Sequence, residues 1–545
     1  MNKYLGVIDI GSNGIRLSIN KRLERHLCVD YEYRIPISLF DAQNSKGNDS
    51  EENVDYSETA KDIPLQVMND IILEFRRFKQ TLDTLVGEVE VKVVATESLR
   101  TATNSKDFQK RIHDELGWSV QVLSKIQEAN TTSLGVISSF YKVDGLVMDL
   151  GGGSVEFNLV QREPGELSIR ESPEPQSFPF GAALLRNQLQ EEDPKHIKAK
   201  MVQQIEKALP RLKIVPASVK SLYWSGGGFR AIGYAVIHNF NKPIPIINGF
   251  RASREEVQFV IQKYKDSNGS EIKDENIFRV GGKRSKMLNG CCLLASVILK
   301  TFDQVEHIYF SGGGVRQGIM YNLLTSAQKK QDPLLSGIRD LVLNKPHLPS
   351  ADIECLKTLL SPLTNLGKHS DDSGLSLRVL ETAVYTSQLY IHHSVESRAS
   401  CALQLPLSGG DLANLPGLLH PERACLALIL MYRYGGDVKD SVLNPIKSSL
   451  PKKIHKQCKL IGHMLELCLY LIPISNTLNG TEIPDSVLKD AKIQIDQTEK
   501  ESDQKVISII LLLPSRLKAS NTFVFNKLLS KANNKHFQIA LTYSD

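Results

Sequence analysis

The residues of this chain best suited to chemistry are carboxylates and hydroxyls set beside bare glycine turns. In "GLVMDLGGGSVEF" (145–157) an apolar run ends in Asp149, with Gly151, Gly152, Gly153 and Ser154 following and Glu156 just beyond. "VIDIGSNGIRLSI" (7–19) repeats the layout, with Asp9 ahead of Gly11, Ser12 and Asn13. A turn without side chains can bring its N–H groups against phosphoryl oxygens. Ser12, Asn13 and Ser154 would add side-chain donors, and Asp9, Asp149 and Glu156 could hold Mg²⁺ directly or through water. Two further glycine turns follow apolar runs: "LYWSGGGFRAIG" (222–233), with Gly226 and Gly227, and "HIYFSGGGVRQGIMY" (307–321), with Gly312 and Gly313. One such turn is more often a hairpin than a phosphate site. Four of one kind reverse that balance and point to phosphate or nucleotide binding.

Two other segments supply reactive groups. "VVATESLRTATN" (93–104) ends a strand pattern and presents Arg100, a planar donor suited to a phosphoryl group. "VLSKIQEANTTSLGVISSF" (122–140) places Glu128 at the start of a helical stretch. A carboxylate there could orient and deprotonate a water for attack on a terminal phosphorus. Taken by itself, Glu128 is better read as a first-turn glutamate favoured by the helix dipole.

These groups need a scaffold. The N-terminal half alternates strand-like and helix-like segments, and the repeated Asp-plus-glycine layout predicts a duplicated α/β fold whose halves turn their loops into one cleft, spanning 1–140 and 141–330. Long amphipathic patterns predict a helical domain over 331–480, and "AKIQIDQ" through "HFQIALTY" a small strand-strand-helix-strand unit over 481–545. "DAQNSKGNDSEENVDYSE" (41–58) is polar and acidic, as expected of a mobile loop.

The bulk composition narrows the function classes. A formal charge of +5 on 545 residues does not indicate a general nucleic-acid binder. Eight scattered cysteines without a CxxC pair read as reduced core residues of a cytoplasmic protein. The N-terminus has no apolar signal-like run, and the most apolar stretch, "VISIILLLP" (506–514), falls far short of the roughly 20 residues a membrane helix needs.

"DIGSNGIRLSI", "ATESLR", "QEANTTSLGV", "DLGGGSVEF", "FPFGAALL" (178–185), "WSGGGFRAI" and "SGGGVRQGIMY" occur in the order found in the exopolyphosphatase and guanosine pentaphosphate phosphohydrolase (Ppx/GppA) family, which the chain resembles. The resemblance implies an actin-like (ribonuclease H-like) duplicated fold, followed by an all-α domain like a degenerate HD domain and the small α+β unit. It implies Glu128 as the water-activating base, Asp149 and Glu156 as metal-linked carboxylates, and Arg100, Gly152, Gly153 and Ser154 as contacts to the phosphate being cleaved. Asp9, Ser12 and Asn13 would form the first phosphate loop, with Mg²⁺ as cofactor.

The chain departs from the family at several places. Gln127 replaces the first glutamate of a Glu-Glu-Ala triplet, Lys125 a glycine, and "KRSKML" (283–288) an Arg-Ala-Asp segment, putting Lys286 where an acid is usual. The helical region lacks the His-Asp pair of long members. These departures, with "RIPISLFDAQ" (34–43), resemble the family's fungal branch, whose members act as cytosolic sensors in mitochondria-to-nucleus retrograde signalling. The resemblance therefore implies a regulatory protein that binds ATP, another nucleotide or polyphosphate and acts on a protein partner, with a second copy of the chain as another candidate partner. The alternatives are a working exopolyphosphatase and, with less support, a sugar-kinase-like enzyme.

Overall fold

The computed structural model describes residues 3–544 except 22, 45–61, 86, 163–168, 344, 346–347, 367–373, 388, 390–393, 409, 479–485, 487, 497–505 and 521. From residue 45 onward, the acidic loop expected over 41–58 lies outside the described residues. The chain divides into two compact units, Met1–Asn241 with Ile247–Pro333, and Lys242–Ile246 with Leu334–Asp545.

The first unit is built on two sheets. One contains β1 (Lys3–Gly11), β2 (Gly14–Asn20), β3 (Tyr31–Ile35), β4 (Glu88–Ala95) and β5 (Val120–Val122), in the order β3-β2-β1-β4-β5. The other contains β6 (Gly145–Leu150), β7 (Val155–Arg162), β8 (Ile169–Glu171), β9 (Gln176–Phe178), β10 (Ser221–Ser225), β11 (Phe250–Ser253) and β12 (His307–Phe310). Its order is β11-β12-β10-β6-β7-β8, with β9 on β7. The run β8-β7-β6-β10-β12 therefore repeats β3-β2-β1-β4-β5. In both sheets an antiparallel hairpin, β1–β2 or β6–β7, is followed by parallel strands added beside its first member. The duplication read from two aspartates and their glycines is thus a duplication of sheet topology. The fold is α/β and actin-like.

Parallel strands covered on both faces should be apolar throughout, and Val7, Ile8 and Ile10 of β1 are fully buried. The helix Leu65–Asp83 buries Met68, Ile71, Ile72, Phe75, Phe78 and Leu82, a stripe at helical spacing, in the core of the first sheet. The helices Gly226–Asn239 and Leu288–Thr301 are apolar on most sides and are correspondingly buried in the core of the second.

The second unit is a set of helices, including Ser350–Thr364, His420–Tyr434 and Lys452–Leu478, with a sheet of β13 (Lys492–Asp496), β14 (Ile507–Pro514) and β15 (Phe537–Ser544) in sequential order. Helices and sheet share one hydrophobic core. Inside it the fully buried Arg423 donates to the carbonyls of Pro406 and Ala413, each at 2.9 Å, and of Leu415. Those bonds offset part of the cost of burying a guanidinium, while Nε stays buried without a partner and burial lowers the Arg423 pKa to about 10.

The helix Lys125–Ser138, which carries Glu128, packs against Val315–Asn322 almost backbone to backbone. A Cβ on Gly318 would lie 1.7 Å from the carbonyl oxygen of Thr131, and one on Gly135 would lie 2.1 Å from that of Gly314. Gly→Ala inside a helix ordinarily gains up to about 1 kcal/mol. Here the contact is with rigid backbone, so we expect Gly318→Ala to destabilise the protein by about 1–3 kcal/mol, as overpacking does. Denaturant unfolding of the variant would detect this; a gain in stability would contradict the packing described.

Candidate functional site

The hairpin turns of β1–β2 and β6–β7 line one cavity of about 640 Å³. Equivalent register puts Asp9 opposite Arg16 in the first hairpin and Asp149 opposite Glu156 in the second. Asp9, Gly11, Ser12, Asn13, Asp149, Gly151, Gly152, Gly153, Ser154, Gly226, Gly227 and Glu128 all line the cavity. Arg100, Glu156, Gly312 and Gly313 are not among its lining residues. Glu156 sits behind the second turn, accepting from the hydroxyls of Ser154 at 2.5 Å and Ser177 at 2.9 Å. Gly312 donates its N–H to Asn248, and Gly313 packs against Gly135 of the Glu128 helix, so it is Gly314 of that loop that reaches the cavity. Arg100 reaches the site through Glu128.

Glu128 is positioned by a helix start that closes on itself. The Ser124 hydroxyl accepts from the N–H of Gln127, and the Gln127 side-chain oxygen accepts from the N–H of Ser124. Gln127 is therefore a capping residue, a role glutamine fills as well as glutamate, and this departure from the family pattern leaves the site's charge untouched. One turn into the helix, Glu128 is 7% exposed and accepts from Arg100 Nη1 at 2.9 Å. Arg100 also donates to the Leu123 carbonyl at 2.7 Å, while its Nε and Nη2 are buried without a partner.

A second carboxylate stands beside it. Glu97, at the end of β4, accepts from Ser12 Oγ at 3.3 Å and lies so close to the second turn that a Cβ on Gly153 would fall 1.6 Å from its Oε2. Gly153 is thus a close-approach glycine, and any side chain there would expel Glu97. Burial, with repulsion from Asp149 and Glu97, pushes Glu128 up to about 7 against the attraction of Arg100. Burial followed by Glu128 and Asp149 raises Glu156 further, and burial raises Asp9, Asp149 and Glu97. Asp149 Oδ1 is buried with no hydrogen-bond partner. A bare carboxylate oxygen beside other carboxylates suits a divalent cation or its waters, so Asp9, Asp149 and Glu156 fit Mg²⁺ by donor type.

The cavity also has a basic side. Arg16, Arg34, Arg186, Arg230, Arg279, Lys283 and Arg284 line it. Burial, then Arg16, lowers Arg230 to about 10, and its Nη1 donates to the carbonyls of Ser311 at 3.2 Å and Gly312 at 3.3 Å. Burial and repulsion from Arg316 and Arg34 lower Arg16 despite Asp9; burial and repulsion from Arg34 and Arg279 lower Arg284. Cations that depress one another make a site for a polyanion. Sequence reasoning missed Glu97 and all of these cations. Arg230 had a readable signal, two residues beyond the third glycine turn. The others come together only through the fold.

Glycine turns from two topologically repeated sheets, converging on a cavity with carboxylates and arginines, define an actin-like α/β protein. The chain belongs to the Ppx/GppA phosphatase family, which matches residues 51–327, and residues 348–460 match the RTG2 C-terminal domain. It is 29% identical over 457 residues to retrograde regulation protein 2 of Saccharomyces cerevisiae, covering 80% of this chain and 73% of that one. Over 194 residues it is 29% identical to exopolyphosphatase 1 of Mycobacterium leprae, covering 35% of this chain and 50% of that one. The crystal structure of an exopolyphosphatase from Cytophaga hutchinsonii covers 59% of this chain and 97% of its own at 21% identity, with a TM-score of 0.47. No helix among the described residues is long and apolar enough to cross a membrane.

The raised Glu128 carboxyl makes stability pH-dependent. The folded protein holds this proton more tightly than the unfolded chain, so the associated stability is present below about pH 4.5 and is lost as pH rises through about 7. Glu128→Gln should therefore melt above the wild type at pH 8, with the advantage shrinking toward pH 5. A melting-temperature difference that stays flat over that range would contradict the assignment.

Proposed function

We propose that this chain is a regulatory protein that binds a nucleotide or polyphosphate as its Mg²⁺ complex in the glycine-turn cavity and passes the occupancy of that site to a protein partner. The observation that carries the reading is the mutually repelling arginine wall facing two bare hairpin turns, a surface that only a polyanion completes. Likeness to retrograde regulation protein 2 along most of the chain, including the match to the RTG2 C-terminal domain, supports a signalling role, as a sensor in mitochondria-to-nucleus retrograde signalling. Eight cysteines, none in a disulfide, suit the reducing cytoplasm. Ligand that binds one arrangement of the lobes better than another would shift their equilibrium and so the affinity for a partner.

Each group has a distinct task. The N–H groups of the turns at Gly11–Asn13 and Gly151–Ser154 bind phosphoryl oxygens, with Ser12, Asn13 and Ser154 as further donors. Gly226 and Gly227 let the ligand approach a third backbone segment. Asp9 and Asp149 hold Mg²⁺, which would offset phosphate charge beside the carboxylates, and Glu156 supports them from behind the second turn through Ser154. Arg16 and Arg230 neutralise the rest of the phosphate chain.

One observation favours a second reading. Glu128, near neutral pKa and oriented by Arg100, has the properties of a general base able to take a proton from a water attacking a terminal phosphorus, as in an exopolyphosphatase. Binding of Mg-ATP, Mg-GTP, pppGpp and polyphosphate should be measured beside phosphate release. We expect Arg230→Ala to weaken binding of the preferred ligand tenfold or more and Glu128→Ala to leave binding within about threefold. Absence of binding by any of the four at millimolar ligand would refute the first reading. Release abolished by Glu128→Ala would establish the second.

A further inference from the structure

Two segments singled out in the sequence, "RIPISLFDAQ" and "KRSKML", meet at the cavity. Asp41, from the helix Leu39–Asn44, pairs with Lys283 Nζ at 2.7 Å and with Arg186 Nη2 at 3.3 Å. All three line the cavity, the carboxylate coming from the first lobe and both cations from the second. The trio lies toward the rim: the Lys283 side chain is 65% exposed, Asp41 33% and Arg186 22%, against 10% for Glu128.

The carboxylate is held in place by the phosphate loop itself. The N–H of Phe40 donates to the Ser12 carbonyl at 2.9 Å, and the N–H of Asp41 donates to Ser38 Oγ at 3.1 Å. Gln43 Nε2 donates to the Ser98 carbonyl at 3.2 Å, tying the end of the same helix to the segment that carries Glu97 and Arg100. On the opposite side, Arg279 and Gly282 adopt left-handed backbone, at φ 59° and 58°, in the turn that brings Lys283 back to the cavity. For an arginine that conformation is strained. The backbone on both sides of the ion pair is therefore fixed, although the Lys283 side chain itself is largely exposed.

We propose that Asp41 is a specificity-determining residue that selects a nucleoside polyphosphate over a linear polyphosphate. The proposal rests on the cavity binding phosphates, as argued above. Asp41 occupies Arg186 and Lys283, so of the seven cations lining the cavity these two contribute least to holding phosphate, and the deeper Arg16 and Arg230 contribute most. A nucleotide places its phosphates deep and its uncharged nucleoside toward the rim. A longer phosphate chain would carry charge past Asp41, where it would meet a carboxylate and find two of the cations already paired. Repulsion between like charges at such a partly exposed site is screened but not abolished.

The test is the ratio of affinities for long-chain polyphosphate and Mg-ATP, measured by calorimetry on the full chain. Asp41→Asn should shift that ratio toward polyphosphate by about tenfold, the factor that ~1.4 kcal/mol represents. Arg186→Ala should change polyphosphate affinity less than threefold alone but tenfold in the Asp41→Asn background, because only there is Arg186 released. A ratio unchanged within twofold, or moved toward ATP, overturns the proposal, as does additivity of the two substitutions. Arg230→Ala separates the two readings. If it weakens both ligands while Asp41→Asn changes nothing, the cavity binds phosphates and the selectivity role fails. If it changes neither, or if wild type binds neither ligand, the cavity reading fails and the selectivity role falls with it.

Discussion

Burying Glu97, Glu128, Asp149 and Glu156 within one another's fields costs free energy that their few hydrogen bonds return only in part, and the arginines opposite carry the mirror-image cost. Like charges held together need a rigid frame, because any looseness would let them separate or hydrate. The repeated sheet supplies it. Each aspartate ends a strand buried on both faces, and Glu128 rises from a helix fixed by a capping box and by glycine contacts to its neighbour. A folded protein keeps such an arrangement when a ligand completes it.

The same frame explains why the departures from the family pattern differ in consequence. Gln127 caps a helix with its amide oxygen, so the loss of a charge there leaves the cavity as it was. Lys283 and Arg284 line the cavity, whereas Lys286, the residue that stands where the family has an acid, lies in the short turn Ser285–Met287 and backs onto Gly269. Asp41 answers the charge of Lys283 from the other lobe. The departures at Gln127 and Lys286 therefore fall outside the cavity lining, while Asp9, Glu128 and Asp149 remain on it.

Much of the floor was legible in sequence because its pieces are local. An aspartate, a bare turn and a returning strand lie within a dozen residues, and the hairpin that joins them follows from alternation and turn chemistry. Gly312 and Gly313 show the limit of that reasoning. Their motif matches the others, but which glycine of a loop faces a cavity depends on what packs behind it, here Gly135, far away in the chain. Glu97 was hidden for a related reason: it enters the site because β4 lies parallel to β1, a pairing between segments some eighty residues apart in sequence.

The sequence by itself determined the duplicated α/β plan, the two glycine turns, the position of Glu128 and the helical character of the C-terminal half, because each rests on periodicity or a short motif. The meeting of Arg16, Arg34, Arg230 and Arg284, and of Asp41 with Arg186 and Lys283, was decided by tertiary structure. Scattered arginines carry no periodicity, and nothing local tells a solvated one from one turned inward. Only the two sheets, each folded on its own core and facing one cavity, bring those charges within reach of each other and of a ligand.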